Sequence, residues 1–380
     1  MLIDIHSSLV SQDEQQNTWS DDIIKALEML ALAQKEGKHA VISNRPTLDK
    51  IRKCPHLSLS DRAVYNKAFN NFTKFQSYRS TVTKYIEINN QYKTQQICSD
   101  SGKTVIKIPP KFFNDSEIIQ KTILLCENTH DAVLYETIAK VYLIWNNIKI
   151  QLACEHRGGG GSTIATEYSK IKQNQNRFCL CLVDSDQFAP NGSLGDTAKL
   201  IKNQANSNKI NAGFIILDVR EIENLIPISI LADLPELSQS QERQAALKVL
   251  KEIENNDLRL FLDIKEGVVL QNIISKSDAN VCKFWENSLP NESNILGRIN
   301  IHCLSDWVCH SSSQCTCKVS LGFGKNILDN TISWLEKKSL HEVAKMVEPS
   351  LRSEPSLRSQ WENLGQEITN WCFAQKPIRA

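Results

Sequence analysis

Six carboxylates in this 380-residue chain stand where acidic side chains do metal chemistry. Glu127 closes the apolar run Ile-Leu-Leu-Cys, and Asp131 follows four residues later. Asp184 and Asp186 close the run Phe178–Val183 as Asp-Ser-Asp. Glu221 and Glu223 follow Gly213–Val219 inside Arg220-Glu221-Ile222-Glu223-Asn224. Carboxylates that converge on one place repel each other unless a cation lies between them. An all-oxygen donor set suits Mg²⁺ or Mn²⁺, and such ions support phosphodiester cleavage. Taken singly, Asp131 also reads as a first-turn acid on a helix and Asp-Ser-Asp as a turn.

These acids need elements to position them. The runs Thr122–Cys126, Ile148–Ala153, Phe178–Val183 and Gly213–Leu217 read as buried strands. They alternate with helical patterns over 132–144, 163–172 and 196–203, which predicts an α/β fold with a parallel sheet flanked by helices. Ligands of such sheets sit beyond the carboxyl ends of the strands, where the acids fall. Before this region, Leu2–Ile5 and His39–Ile42 read as strands around a helix from about Ser20 to Glu36, stopped at Gly37. Residues 60–92 read as helical, and Val105–Ile108 as a strand ending at Pro109-Pro110. After Pro235 the chain reads as mostly helical: 239–254, 329–337 and 341 to the end, with interruptions near Pro349 and Pro355. The expected organisation is an N-terminal α/β domain over 1–115, a catalytic domain over 116–270 and a mostly helical region over 271–380.

Glu127 followed by Asp184-x-Asp186 after a later strand resembles the TOPRIM domain of primases, topoisomerases and OLD-family nucleases. The segment LLCENTHDAVLYETI resembles that family's glutamate strand, with Asn128 where Gly is usual. Arg220-Glu221-Ile222-Glu223-Asn224 resembles the Arg-x-x-Glu-Asn/Ser element of OLD-like nucleases. The resemblance implies that Glu223, or next Glu221, helps hold a second metal. Asp263-x-Lys265-x-Gly267 resembles an element in which a lysine lies near the scissile phosphate, which implies that role for Lys265. The resemblance covers roughly residues 118–270. It implies a TOPRIM-like sheet and Mg²⁺-dependent cutting or nicking of nucleic acid, DNA before RNA. It also implies an anti-phage effector role with a separate regulatory or sensor protein. Its mechanism would have Glu127, Asp184 and Asp186 at one metal, Asp131 and Glu223 supporting the second, and Lys265 offsetting transition-state charge. No G-x-x-x-x-G-K-[ST] motif occurs, so no ATPase is expected.

Other features bear on partners. Residues 46–114 are strongly basic within a chain of net charge +1, and they interleave Tyr65, Phe69, Phe72, Phe75, Tyr78, Tyr85 and Tyr92. Basic side chains with aromatics suit a phosphate backbone with base stacking; the same aromatics at helical spacing suit a core. Gly158–Gly161 reads as a phosphate-approaching turn or as a flexible loop. Cys303, Cys309, Cys315 and Cys317 form a possible Zn²⁺ set or packed thiols. Cys179 and Cys181 read as core. The absence of a signal-like N-terminus and of a long apolar run predicts a cytoplasmic protein without membrane contact. A non-catalytic nucleic-acid-binding or regulatory protein on the same scaffold is the alternative function.

Overall fold

The computed structural model describes residues 1–10, 19–204, 210–253, 256–292, 298–308 and 317–378. The fold is α/β, with largely parallel sheets flanked by helices. It divides into two compact units that are discontinuous in sequence: Met1–Cys181 with Gln204–Phe214 and Leu364–Ala380, and Leu182–Asn203 with Ile215–Asn363. No helix among the described residues is long and apolar enough to cross a membrane.

The first unit opens with β1 (Leu2–Ile5), α1 (Asp21–Lys35) and β2 (Ala40–Ser43). Three short helices follow: α2 (Arg45–Arg52), α3 (Leu59–Asn70) and α4 (Phe72–Thr81). Then come β3 (Lys84–Ile88), β4 (Gln96–Asp100) and β5 (Lys103–Ile108). They build a five-stranded sheet in the order β2-β1-β3-β5-β4, parallel except for β4 against β5. The expected helix over 60–92 therefore ends at Thr81. The continuation Lys84–Ile88 is a strand, because its buried Tyr85, Ile86 and Ile88 enter the sheet beside β1. The β4–β5 hairpin escaped the sequence reading. Its two-residue turn, Ser101-Gly102, has φ of 51° and 77°, the backbone that tight hairpins require, but β4 is too exposed to show apolar alternation.

The second sheet of this unit uses β6 (Thr122–Cys126), followed by α5 (Thr129–Trp145), β7 (Gln151–Leu152) and β8 (Cys154–Gly158). It continues with α6 (Ile164–Asn174), β9 (Cys179–Val183) and β10 (Ala212–Ile216); α7 (Asp196–Asn203), which lies between these two strands in sequence, is counted in the second unit. The strand order is β10-β9-β6-β8. β6 is parallel to both neighbours, with Leu125 opposite Arg157 and Cys181. Every residue of β6 and β9 is buried, as a sheet covered on both faces demands, and Cys179 and Cys181 lie in that core. Of the strand expected at Ile148–Ala153, only the two-residue β7 forms there, and the strand that joins the four-stranded sheet, β8, comes later in the chain. β8 carries Glu155, His156 and Arg157 on the sheet's edge, where half-exposed polar residues replace an apolar run.

The second unit holds the loops after β9 and β10, a two-stranded sheet of β11 (Gly267–Val269) and β12 (Lys318–Leu321), and helices that include Gln241–Glu252, Ala279–Ser288, Ile327–Leu335 and Leu340–Ser353. Pro349 does not interrupt the last of these. It sits inside the helix, and the break comes at Glu354 before Pro355. The closing helix Pro355–Cys372 runs into β13 (Phe373–Ala374), which pairs antiparallel with β7.

Candidate functional site

Five of the singled-out side chains meet in the second unit. Asp184 follows β9 directly, and its Oδ1 accepts the backbone N–H of Ile222 at 2.9 Å. Ser185 between the two aspartates is buried and donates its hydroxyl to the carbonyl of Val219 at 2.6 Å. The N–H of Asp186 donates to the carbonyl of Arg220 at 2.9 Å. The Asp-Ser-Asp loop is thereby fastened to the loop Val219–Ile222. Asp186 has φ of 53°, a left-handed backbone that an aspartate tolerates better than most residues. Gly195 packs so closely that an added Cβ would lie 2.1 Å from Asp186 Oδ2.

Glu221 and Glu223 are buried on a short 3₁₀ turn, Ile222–Leu225. Asn224 holds this turn: its Oδ1 accepts the N–H of Glu221, and its Nδ2 donates to the carbonyls of Arg259 and Leu262. Lys265 Nζ lies 3.0 Å from Glu221 Oε2 and 3.4 Å from Glu223 Oε1. Arg220 contacts Glu221 Oε1 at 3.2 Å and Asp263 Oδ2 at 3.1 Å, and its guanidinium stacks 4.1 Å from the Phe188 ring centre. Three acids, Glu221, Glu223 and Asp263, thus share two cations. The electrostatics follow from this crowding. Burial pushes the Glu223 carboxyl above its ordinary value despite Lys265. Burial, then repulsion from Glu221, raises Asp186. Lys265 is opposed by burial but is held above the usual lysine range by Glu223, Glu221 and Asp184. Lys265 also lines a cavity of about 860 Å³ with Arg243, Lys318, Glu236 and Glu242.

Glu127 and Asp131 belong to the first unit. Glu127 is the residue after β6, and its carbonyl accepts the N–H groups of Gly160 and Gly161 at 3.2 and 3.5 Å. The glycine turn is therefore ordered against the end of β6. Gly159 has no room for a side chain, since a Cβ would lie 2.4 Å from that of Ile164. Asp131 Oδ2 accepts the N–H of Asn128 at 2.8 Å in a capping box at the start of α5, so one of its oxygens serves the helix.

The aromatics of the basic block are mostly structural. Tyr65, Phe75, Tyr78 and Tyr85 are buried, and Phe69 carries the guanidinium groups of Arg45 and Arg52 at 4.9 and 4.1 Å from its ring centre. A cavity of about 600 Å³ in this unit is lined by the exposed Lys67, Lys74, Lys149 and Lys376 beside Phe75 and Tyr78. Of the C-terminal cysteines, Cys303 and Cys317 are buried, while Cys309 and Cys315 lie outside the described residues.

Among the described residues, one set of three metal-type donors lies within 4.8 Å of one another: Glu136, Cys154 and His156. Asp184, Asp186, Glu221 and Glu223 form no set that tight. Sequence reasoning missed this trio. Its visible signal was Cys-x-His on one side of a strand, with an acid on the preceding helix. No protein-family model matches the chain, and no curated protein or solved structure is similar to it.

Proposed function

We propose that this chain is a metal-dependent nuclease on a TOPRIM-like scaffold, cleaving or nicking phosphodiester bonds, in DNA before RNA. The observation that carries the reading is the Lys265 ammonium held between the buried carboxylates of Glu221 and Glu223, in loops fastened to Asp184-Ser185-Asp186. These acids hold a cation already, and Glu223 Oε2 is buried without a hydrogen-bond partner. An all-carboxylate donor set fits Mg²⁺ or Mn²⁺. Asp184, Glu221 and Glu223 would hold the ion, with Asp186 beside them. Glu127 enters on the sequence motif alone. A bound divalent ion supplies Lewis acidity toward the phosphate.

The chain's own residues do the rest. Lys265 keeps its proton, so it acts as a fixed positive charge against the transition state and not as a base. Asp186, more basic than an ordinary aspartate, accepts a proton from the attacking water. The four lysines around Phe75 and Tyr78 supply a cationic surface suited to a phosphate backbone. The biological setting that goes with this reading is an anti-phage effector restrained or triggered by a separate regulatory protein.

The test is incubation of supercoiled plasmid and of RNA with the protein in Mg²⁺ and in Mn²⁺. Wild type is expected to nick or cut. Asp184→Asn and Glu223→Gln are expected to lose activity at least ~100-fold with unchanged circular dichroism, and Glu127→Gln likewise. Full cleavage by Asp184→Asn and Glu223→Gln would remove the assigned site. Binding by wild type without turnover would favour a non-catalytic role on the same scaffold.

A further inference from the structure

The side chains of Glu136, Cys154 and His156 meet where α5 packs on the edge strand β8 in the first unit. Cys154 and His156 are two residues apart, so they project to the same face of β8. Glu136 comes from α5, which packs on that strand. Its Oε2 lies 3.0 Å from His156 Nε2, while its Oε1 is held by Lys140 at 2.9 Å. The side chains of Glu136 and His156 remain 19% and 28% exposed, so an ion from solvent can enter. Behind Cys154 stands Cys372, fully buried, whose thiol hydrogen-bonds to the Cys154 sulfur. Cys372 is fixed in turn by its carbonyl, which accepts the N–H of Ala153 at 2.8 Å.

We propose that Glu136 Oε2, Cys154 Sγ and His156 Nε2 form a Zn²⁺ site with a fourth position open to solvent. Zinc bonds of about 2.0–2.3 Å place tetrahedral ligand atoms roughly 3.5 Å apart, so a mutual spacing within 4.8 Å closes onto the ion by small side-chain rotations. One thiolate, one carboxylate and one neutral imidazole balance a doubly charged cation. The sulfur and imidazole donors select a borderline ion over Mg²⁺ or Mn²⁺, which makes this site chemically distinct from the all-carboxylate cluster of the second unit. Without a metal, Glu136 Oε2 and the Cys154 side chain both contact the His156 imidazole. Lys140 and Cys372 are then the outer groups that aim the carboxylate and stabilise the thiolate.

The test is titration of the purified full chain, stripped of metal, with Co²⁺, followed by displacement with Zn²⁺. One equivalent of Co²⁺ is expected to give a thiolate-to-cobalt charge-transfer band in the near ultraviolet and visible bands of tetrahedral intensity, both lost when Zn²⁺ is added. Cys154→Ser should abolish the charge-transfer band, and His156→Ala and Glu136→Gln should each weaken binding at least ~10-fold. Cys372→Ser should still bind one equivalent, because that sulfur is not a ligand. Circular dichroism of the stripped variants checks that each is folded. A wild-type protein without the charge-transfer band, or a band that survives in folded Cys154→Ser, overturns the site. Nuclease activity plays no part in this readout, so the two proposals stand or fall separately.

Discussion

At the scale of single residues, the second unit's cluster is a case of carboxylates kept at an energetic disadvantage. Glu223 is buried and its carboxyl is raised above the usual value, so its charged form costs stability. A group raised in the folded state contributes most when protonated at low pH, and that contribution is lost as pH rises from the unfolded value through the folded one. The stability of Glu223→Gln relative to wild type should therefore improve as pH is raised from about 4 to 7. Thermal melts across that range check it; a variant that loses stability relative to wild type as pH rises would mean that Lys265 more than compensates the burial. The opposite logic applies to Glu136, whose carboxyl is brought down to about 2 against the cost of burial, by the His156 and Lys140 contacts. Its contribution is fully present above about 4.5 and is lost as pH falls through about 2, so Glu136→Gln should be less stable than metal-free wild type at pH 7, with most of that difference gone by pH 2.5. Equal melting temperatures at pH 7 would show that these contacts add nothing. The acids that crowd around Lys265 were legible as residue types after apolar runs. Asp131 was legible too, but sequence could not say that one of its oxygens caps α5, because capping depends on where Asn128 leaves the strand.

At the scale of elements, β6 and β9 were legible because they are buried along their whole length in unbroken apolar runs, and β1, β2, β5 and β10 were legible as well. The edge strands β4 and β8 were hidden. β8 reads Cys-Glu-His-Arg-Gly, and β4 is largely exposed, so neither carries a periodic signal. The trio Glu136, Cys154 and His156 was hidden for the same reason, since it depends on β8 being a strand at all. The glycine turn offers a sharp test of local packing. At Gly159 an added methyl would collide with Ile164, 2.4 Å from its Cβ and 2.7 Å from its Cα, so Gly159→Ala should destabilise the protein by ~1–3 kcal/mol. Gly161 faces open space and is constrained only by its φ of 61°, so Gly161→Ala should cost about 1 kcal/mol. Urea melts that rank the two in reverse would refute this account of the turn.

At the scale of the whole molecule, the reading 1–115, 116–270 and 271–380 treats domains as consecutive stretches, whereas the compact units are interleaved along the chain. Periodicity cannot reveal that, because it depends on contacts between residues hundreds of positions apart. In the first unit, the N-terminal ammonium of Met1 donates to the carbonyl of Phe373 at 2.9 Å, and the Asn370 side chain contacts Thr83. Thr122 donates its hydroxyl to the carbonyl of Trp371 at 2.6 Å. Removing residues 364–380 should therefore unfold the first unit and not merely trim it, with loss of amide-exchange protection in β1, β3 and β6. Retained protection in those strands would show that the C-terminal segment is an accessory. In the second unit, Arg259 is buried with Glu354 at 2.6 Å, and Glu354→Gln should cost ~3–5 kcal/mol by stranding that charge.

The interleaving also sets a timetable. A ribosome delivers residues 1–181 first, and Asn370, Trp371 and Phe373 emerge only after the intervening residues of the second unit. The growing polypeptide must wait with β7 lacking its pairing partner β13 and with the Trp371 contact of Thr122 unmade. Completion of the first unit therefore waits on synthesis of the segments of the second, and until then the growing polypeptide carries an unfinished sheet.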